Sequence, residues 1–204
     1  MADMYVICSD LEGVFVPEVW VNVAKKTGID KLKLTTRDIQ NYDELMNYRI
    51  KILDEEKLRL KDIQNVISQI KPLDGALEFL EWCKELARLV VVSDTFVEFA
   101  DPLMAQLNRP LLLCHSLVVD NDNMIRGYKI RQPDPKRKTV QAFQSLEYKV
   151  LAFGDSYNDV SMLKQADVGI LYCPPDNVVK DYPEFPVARN YDELKSEILK
   201  HIRR

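Results

Sequence analysis

Short runs of consecutive apolar residues, each closed by polar or acidic ones, alternate along this chain with longer stretches of helical period. Residues 4–9 (MYVICS) form the first such run and lead into the acidic, glycine-containing turn Asp10-Leu11-Glu12-Gly13. An apolar run of this length, bounded by turn residues, is the pattern of a strand buried on both faces of a parallel sheet. Two later runs repeat it: Leu89-Val90-Val91-Val92 ends at Ser93-Asp94, and Val150-Leu151-Ala152-Phe153 ends at Gly154-Asp155. Residues 76–86, 97–107, 135–146 and 158–164 instead place apolar side chains at helical intervals. Strand alternating with helix predicts the α/β class, with a doubly wound parallel sheet.

Two stretches break this rhythm. Between residues 17 and 71, VWVNVAKKT, YDELMNYRIKILDEE and LKDIQNVISQI each carry an amphipathic helical pattern, with no convincing strand among them. Pro17 on one side and Lys71-Pro72-Leu73-Asp74-Gly75 on the other punctuate its borders. The expected organisation is a core made of residues 1–14 and 74–204, with a helical cap at 15–73 inserted after the first acidic turn. Residues 117–130 alternate around Asn121-Asp122-Asn123, which predicts a hairpin.

Composition narrows the class of partner. A chain of 204 residues suits one core plus a small insert. The formal net charge of −4 and the lack of a long cationic stretch exclude a nucleic-acid-binding face. Cys8, Cys83, Cys114 and Cys173 are scattered, without metal or redox spacing, and read as buried free thiols. No apolar run approaches the ~20 residues that span a bilayer, and the N-terminus lacks signal-peptide features, so a cytoplasmic protein with no membrane partner is expected. The terminal KHIRR reads as a solvated helix end whose positive charges suit a helix C-terminus.

Ligands of open parallel sheets gather beyond the carboxyl ends of the strands. There the pattern brings Asp10, Glu12, Ser93, Asp94 and Asp155, with Asn158 and Asp159 following at a helix start. Clustered carboxylates repel unless a cation sits among them, and all-oxygen ligands favour a hard ion such as magnesium (Mg2+). Phosphoryl transfer needs an in-line nucleophile, positive charge on the phosphoryl oxygens and a proton for the leaving group. Asp10, the first acid after the strand, suits the nucleophile. Glu12, pointing back into the same crevice, suits the acid/base. Ser93 can bind a phosphoryl oxygen, and a lysine at the start of the helix beginning near Pro135 adds positive charge; Lys136 is preferred, with Lys138 the alternative. His115 reads as a core or turn histidine, and Arg131 and Gln132 are placed near the crevice by position alone.

Asp10-Leu11-Glu12-Gly13-Val14, Ser93-Asp94-Thr95, Lys136 and Gly154-Asp155-Ser156-Tyr157-Asn158-Asp159 together resemble the ordered motifs of the haloacid dehalogenase superfamily. The resemblance implies a Rossmann-like core and magnesium bound by Asp10, the backbone carbonyl of Glu12, and Asp155. It also implies that Asn158 and Asp159 order the surroundings of the metal. Within that superfamily the chain resembles the phosphoserine phosphatase family, whose cap is inserted at the same place. Glu18 and Arg49 resemble that family's substrate-reading residues: a guanidinium grips a carboxylate in bidentate fashion, and a carboxylate pairs with an ammonium. Tyr42 is expected near Arg49, and Ser93, Asp94, Thr95 and Asn158 are expected to contact substrate. Glu12 stands where most relatives have Asp, and Asp94-Thr95 where Gly-Gly is common. These departures, with the strings DLEGVFVPE, TGID, TTRDI, SDTF, LLCH, DPKR and GDSYND, are similar to a bifunctional branch that also transfers phosphate to homoserine. The implied partners are phosphoserine and homoserine, and relatives suggest a homodimer. Changes in the cap could redirect the same motifs to another phosphate ester. A non-catalytic binding module is disfavoured, since no motif acid is missing.

Overall fold

The computed structural model describes residues 4–35, 38–39 and 41–202. Part of the TTRDI string (Thr36, Arg37) and the last residues of KHIRR (Arg203, Arg204) lie outside the described residues.

Strands β1 (Tyr5–Ser9), β2 (Arg88–Phe96), β3 (Leu111–Val119), β4 (Ile125–Lys129), β5 (Lys149–Gly154), β6 (Val168–Tyr172) and β7 (Val187–Ala188) form one sheet in the order β4-β3-β2-β1-β5-β6-β7. Neighbours are parallel except β4, which returns antiparallel beside β3 as the hairpin pattern predicts. Helices α1 (Val19–Thr27), α2 (Tyr42–Glu55) and α3 (Leu60–Ile67) fall between β1 and β2, before α4 (Ala76–Leu86). The remaining helices are α5 (Val97–Gln106), α6 (Pro135–Ser145), α7 (Val160–Gln165), α8 (Asp176–Asp181) and α9 (Tyr191–Leu199).

Side chains alternate across a strand, so a continuous apolar run feeds two cores. Ile7, Leu89, Val91, Leu151 and Phe153 pack on one face with α4, α5, α9 and α1 to α3. Val6, Cys8, Val90, Val92, Val150 and Ala152 pack on the other with α6, α7 and Val178 of α8. The strand order reverses at β1, which pairs with β2 on one side and β5 on the other. The crevice therefore opens beyond the ends of β1 and β5.

Several boundaries differ from the sequence pattern. β2 does not stop at Val92: it continues through Ser93-Asp94-Thr95 to Phe96, and its register against β3 shifts between Val92 and Phe96. Such an irregularity re-aims side chains beside a site. LLLC and the first arm of the hairpin are one strand, so His115 is a buried mid-strand residue and not a turn residue. Of the cysteines, all free, Cys173 is exposed and the other three are buried. The last helix ends at Leu199, so His201 lies beyond it, and Ile202 is buried in the core, which the reading of KHIRR as a solvated helix end did not anticipate. No helix among the described residues is long and apolar enough to cross a membrane.

Candidate active site

Asp10 follows β1 directly, and its backbone N–H donates to the Phe153 carbonyl of β5 at 3.1 Å, which ties the acidic turn to the neighbouring strand. Asp10 is only 4% exposed. Lys136, in the first turn of α6 and only 2% exposed, brings its Nζ to 2.9 Å from Asp10 Oδ1, 2.7 Å from Asp159 Oδ1 and 3.8 Å from Asp94 Oδ2. It is Lys136, not Lys138, that reaches the nucleophile candidate. Burial disfavours its charge, yet these carboxylates outweigh burial and raise its pKa well above the ordinary lysine value.

Asp159 is fully buried. Its Oδ2 accepts the backbone N–H groups of Asp155 and Ser156 at 3.0 and 3.1 Å, so it shapes the turn after β5 as well as holding Lys136. A Cβ added at Gly154 would fall 2.3 Å from Asp159 Cγ, so only glycine lets that carboxylate lie against the strand end.

Carboxylate atoms of Asp10, Asp155 and Asp159 lie within 4.8 Å of one another. Burial, reinforced by Asp159, pushes Asp10 well above the usual carboxylate range despite Lys136. Burial and Asp159 likewise push Asp155 up to about 6. The pocket thus holds more negative charge than one ammonium offsets. An all-oxygen donor set with surplus negative charge fits a hard divalent cation such as magnesium. Gly13 lets the Asp155 carboxylate lie against the acidic turn: its φ is +77°, and a Cβ there would lie 2.5 Å from Asp155 Oδ2.

Glu12 faces the helical insert. Its Oε2 accepts the Val19 N–H at 2.7 Å, capping the start of α1. Burial, with the nearby Glu18 carboxylate adding to it, raises Glu12 to about 8, against the lowering influences of the Val19 N–H and Arg49. That rise favours the protonated form of Glu12 near neutral pH. Glu18 itself is exposed at the N-cap of α1.

Arg49 of α2 is 6% exposed, its guanidinium 4.5 Å over the Trp20 ring. Its Nη2 donates to the Leu34 carbonyl at 2.7 Å, whereas its buried Nε has no partner. Burial lowers its pKa to about 10. Tyr42, at the start of α2, donates its hydroxyl to the Asp94 backbone carbonyl at 3.1 Å.

Ser93 and Thr95 are buried, and the Thr95 N–H donates to Ser93 Oγ at 3.2 Å. Asn158 Nδ2 donates to Asp94 Oδ2 at 3.0 Å. Burial would raise Asp94, but Lys136, His115 and Asn158 together hold it well below the usual range. Arg131 does not turn its guanidinium to the crevice: Nη2 donates to Pro135 O and Thr139 Oγ1, at 3.3 and 3.0 Å.

The sequence reading passed over the aromatic wall beside Asp94. Tyr42 lies edge-on to both His115 and Tyr128, with ring centroids 6.3 and 5.9 Å apart. Tyr128 also donates its hydroxyl to Asp43. These contacts depend on β3 and β4 pairing outside β2, a juxtaposition without a local signal.

A buried acid beside β1, joined to a lysine and to the acids after β5 at a topological switch point, defines a class. The family model of haloacid dehalogenase-like hydrolases matches residues 7–167, and the chain belongs to that family. Within it the kinship is to phosphoserine phosphatases. The chain is 55% identical over 197 residues to "Phosphoserine phosphatase ThrH" of Pseudomonas aeruginosa, covering 97% of this chain and 96% of that protein. It is 54% identical to the phosphoserine phosphatase of Pseudomonas syringae pv. tomato, covering 96% of this chain and 82% of the relative. A solved phospho-aspartyl intermediate analogue of phosphoserine phosphatase shares the fold, with a TM-score of 0.77 at 20% identity over 98% of this chain and all of that one.

Proposed function

We propose that this chain is a magnesium-dependent phosphoserine phosphatase that works through an aspartyl-phosphate on Asp10 and also passes the phosphate to homoserine. The observation that carries the chemistry is the buried Asp10 held 2.9 Å from Lys136, with Asp155 and Asp159 beside it. The substrate assignment is supported by the two phosphoserine phosphatases of Pseudomonas, at 55% and 54% identity. Magnesium would be held by Asp10, Asp155 and the Glu12 carbonyl, and would offset charge on the phosphoryl oxygens.

Asp10 attacks phosphorus as the bond to the serine oxygen breaks, and protonated Glu12 gives its proton to that oxygen. Serine leaves. Glu12, now a carboxylate, takes a proton from water or from the homoserine hydroxyl, whose oxygen attacks phosphorus and releases Asp10. Inorganic phosphate or phosphohomoserine is the product. Glu12 is matched to the first step because burial raises its pKa to about 8 and favours the protonated acid. Lys136 supplies positive charge beside the transferring group, and Ser93 and Thr95 line it.

Arg49 has an unpartnered donor and a ring-stacked guanidinium suited to a substrate carboxylate. Glu18 would pair with the ammonium, while Tyr42, Asp94 and Asn158 frame the same space. A reader of amino-acid backbone groups admits homoserine, which is serine with one more methylene. The test is turnover of phosphoserine with magnesium, with and without homoserine, followed by detection of phosphohomoserine. Phosphoserine ranking low in a panel of phosphate esters would refute the substrate, and phosphate release unaccompanied by phosphohomoserine would refute the transfer.

A further inference from the structure

His115 is a buried imidazole to which the reaction above gives no part. Its two nitrogens face different partners. The Arg131 backbone N–H donates to Nδ1 at 3.2 Å, so Nδ1 carries no proton and a neutral ring must carry its proton on Nε2. Nε2 points at Asp94 Oδ1, 3.6 Å away. That is just beyond a hydrogen bond, and contacts of this kind in unliganded active sites commonly tighten when substrate binds.

Asp94 needs restraint. It sits on the irregular end of β2, its side chain is 30% exposed, and the carboxylates of Asp10 and Asp159 share its lysine. Repulsion would swing it toward solvent. Three contacts oppose this: Asn158 Nδ2 at 3.0 Å, the Tyr42 hydroxyl on its main-chain carbonyl at 3.1 Å, and the His115 ring. A lysine or arginine at position 115 would also hold Asp94, but would compete with Lys136 for it. A neutral N–H donor with fixed tautomer does not.

We propose that His115 is a positioning residue: through Nε2 it orients the Asp94 carboxylate, which in turn aims the Lys136 ammonium at the phosphate carried by Asp10. This rests on the reading of Asp10 and Lys136 as the phosphate-transfer pair. The role is specific to one edge of the ring, which separates it from simple core packing.

Two substitutions divide those edges. The amide of His115→Gln overlays the Nε2 edge and keeps a donor for Asp94. That of His115→Asn overlays the Nδ1 edge, keeping an acceptor for Arg131 and losing the donor. Both remove ring volume. With phosphoserine and magnesium, His115→Asn is expected to lower kcat about tenfold with KM within about twofold, the scale of one hydrogen bond to a charged group, while His115→Gln stays within about threefold of the parent. In an Asp94→Ala background, His115→Asn should cost nothing further. Equal kcat for the Asn and Gln variants, or the same tenfold loss in the Asp94→Ala background, would overturn the proposal. Circular dichroism confirms that each variant is folded, and if His115→Asn does not fold, a His115→Gln enzyme more than tenfold impaired would overturn it and one within threefold would support it. An unsubstituted chain inactive on phosphoserine would instead defeat the reading beneath it.

Discussion

Replacing Lys136 with methionine removes the one cationic side chain among the described residues that pairs with both Asp10 and Asp159. Lys136 is 2% exposed, and its ammonium lies within 2.9 Å of both carboxylates, which are themselves buried. Breaking a buried ion pair from one side costs about 3–5 kcal/mol, because the partner charge stays behind in a poorly solvating place. In a chain of this size that corresponds to a fall of about 6–20 °C in Tm. The loss should depend on pH with a definite sign. Burial already raises Asp10 in the parent, and Lys136 is what restrains the rise. Without Lys136 the folded carboxylate is raised further and holds more protons than the parent does, so stability falls faster as pH rises above the unfolded carboxylate value of about 4. Asp94, which Lys136 helps hold low, also loses stabilisation, but that contribution is complete above the unfolded carboxylate value and so adds equally at pH 5 and pH 8. Urea unfolding of both proteins in EDTA at pH 5 and pH 8 tests this: the deficit should be larger at pH 8, and in a separate assay with magnesium the variant should lack the parent's phosphoserine turnover. A Lys136→Met chain as stable as the parent at pH 8, or one whose deficit is larger at pH 5, would refute the account of the buried cluster.

Glu12→Gln keeps the cap on Val19 but cannot exchange a proton, and kcat should fall about 10²–10⁴-fold. In the parent, the step that needs the protonated acid should weaken as pH rises through about 8, seen as a falling alkaline limb in the pH profile of kcat that the Gln variant lacks. Gly154→Ala puts a methyl 2.3 Å from Asp159 Cγ, and should lower stability by about 1–3 kcal/mol and abolish turnover, measured by thermal unfolding and phosphate release. Tyr191→Phe removes the 2.6 Å hydrogen bond to the Val14 carbonyl in the acidic turn, while leaving the ring stacked between Phe79 and Tyr172. A loss of about 0.5–1.5 kcal/mol in denaturant unfolding is expected.

The elements legible in the sequence are those whose pattern is local and strong. VWVNVAKKT is α1 from end to end, and ALEFLEWCKEL is α4. The two-sided apolar runs revealed β1, β2 and β5, because each feeds both cores and so has no polar alternation to confuse it. β7 was not legible because it is two residues long and exists only as a rung against β6. The extension of β2 was missed because Ser93-Asp94-Thr95 reads as a polar strand end, and only the shifted pairing with β3 makes it strand. In the site, the acids were visible because their spacing from the runs is fixed. The directions of Glu12, turned to cap α1, and Arg131, turned onto α6, were not, because they depend on what a distant helix offers.

The clustered carboxylates differ in what they leave free. Proximity alone would let Asp10, Asp155 and Asp159 share one cation equally. Yet Asp159 has Oδ1 on Lys136 and Oδ2 on two backbone N–H groups, and it is shut away from solvent. Drawing it onto a metal would cost those bonds and strip Lys136 of its closest partner. Asp10 engages Lys136 through Oδ1, while Asp155 is only partly buried and lies against the open backbone of Gly13. The hydrogen bonds thus divide the acids into one that builds the turn and anchors the lysine, and two that present oxygen to the crevice. On that division the proposed divalent cation would be held by Asp10 and Asp155, while Asp159 keeps the lysine and the Asp155 backbone in place.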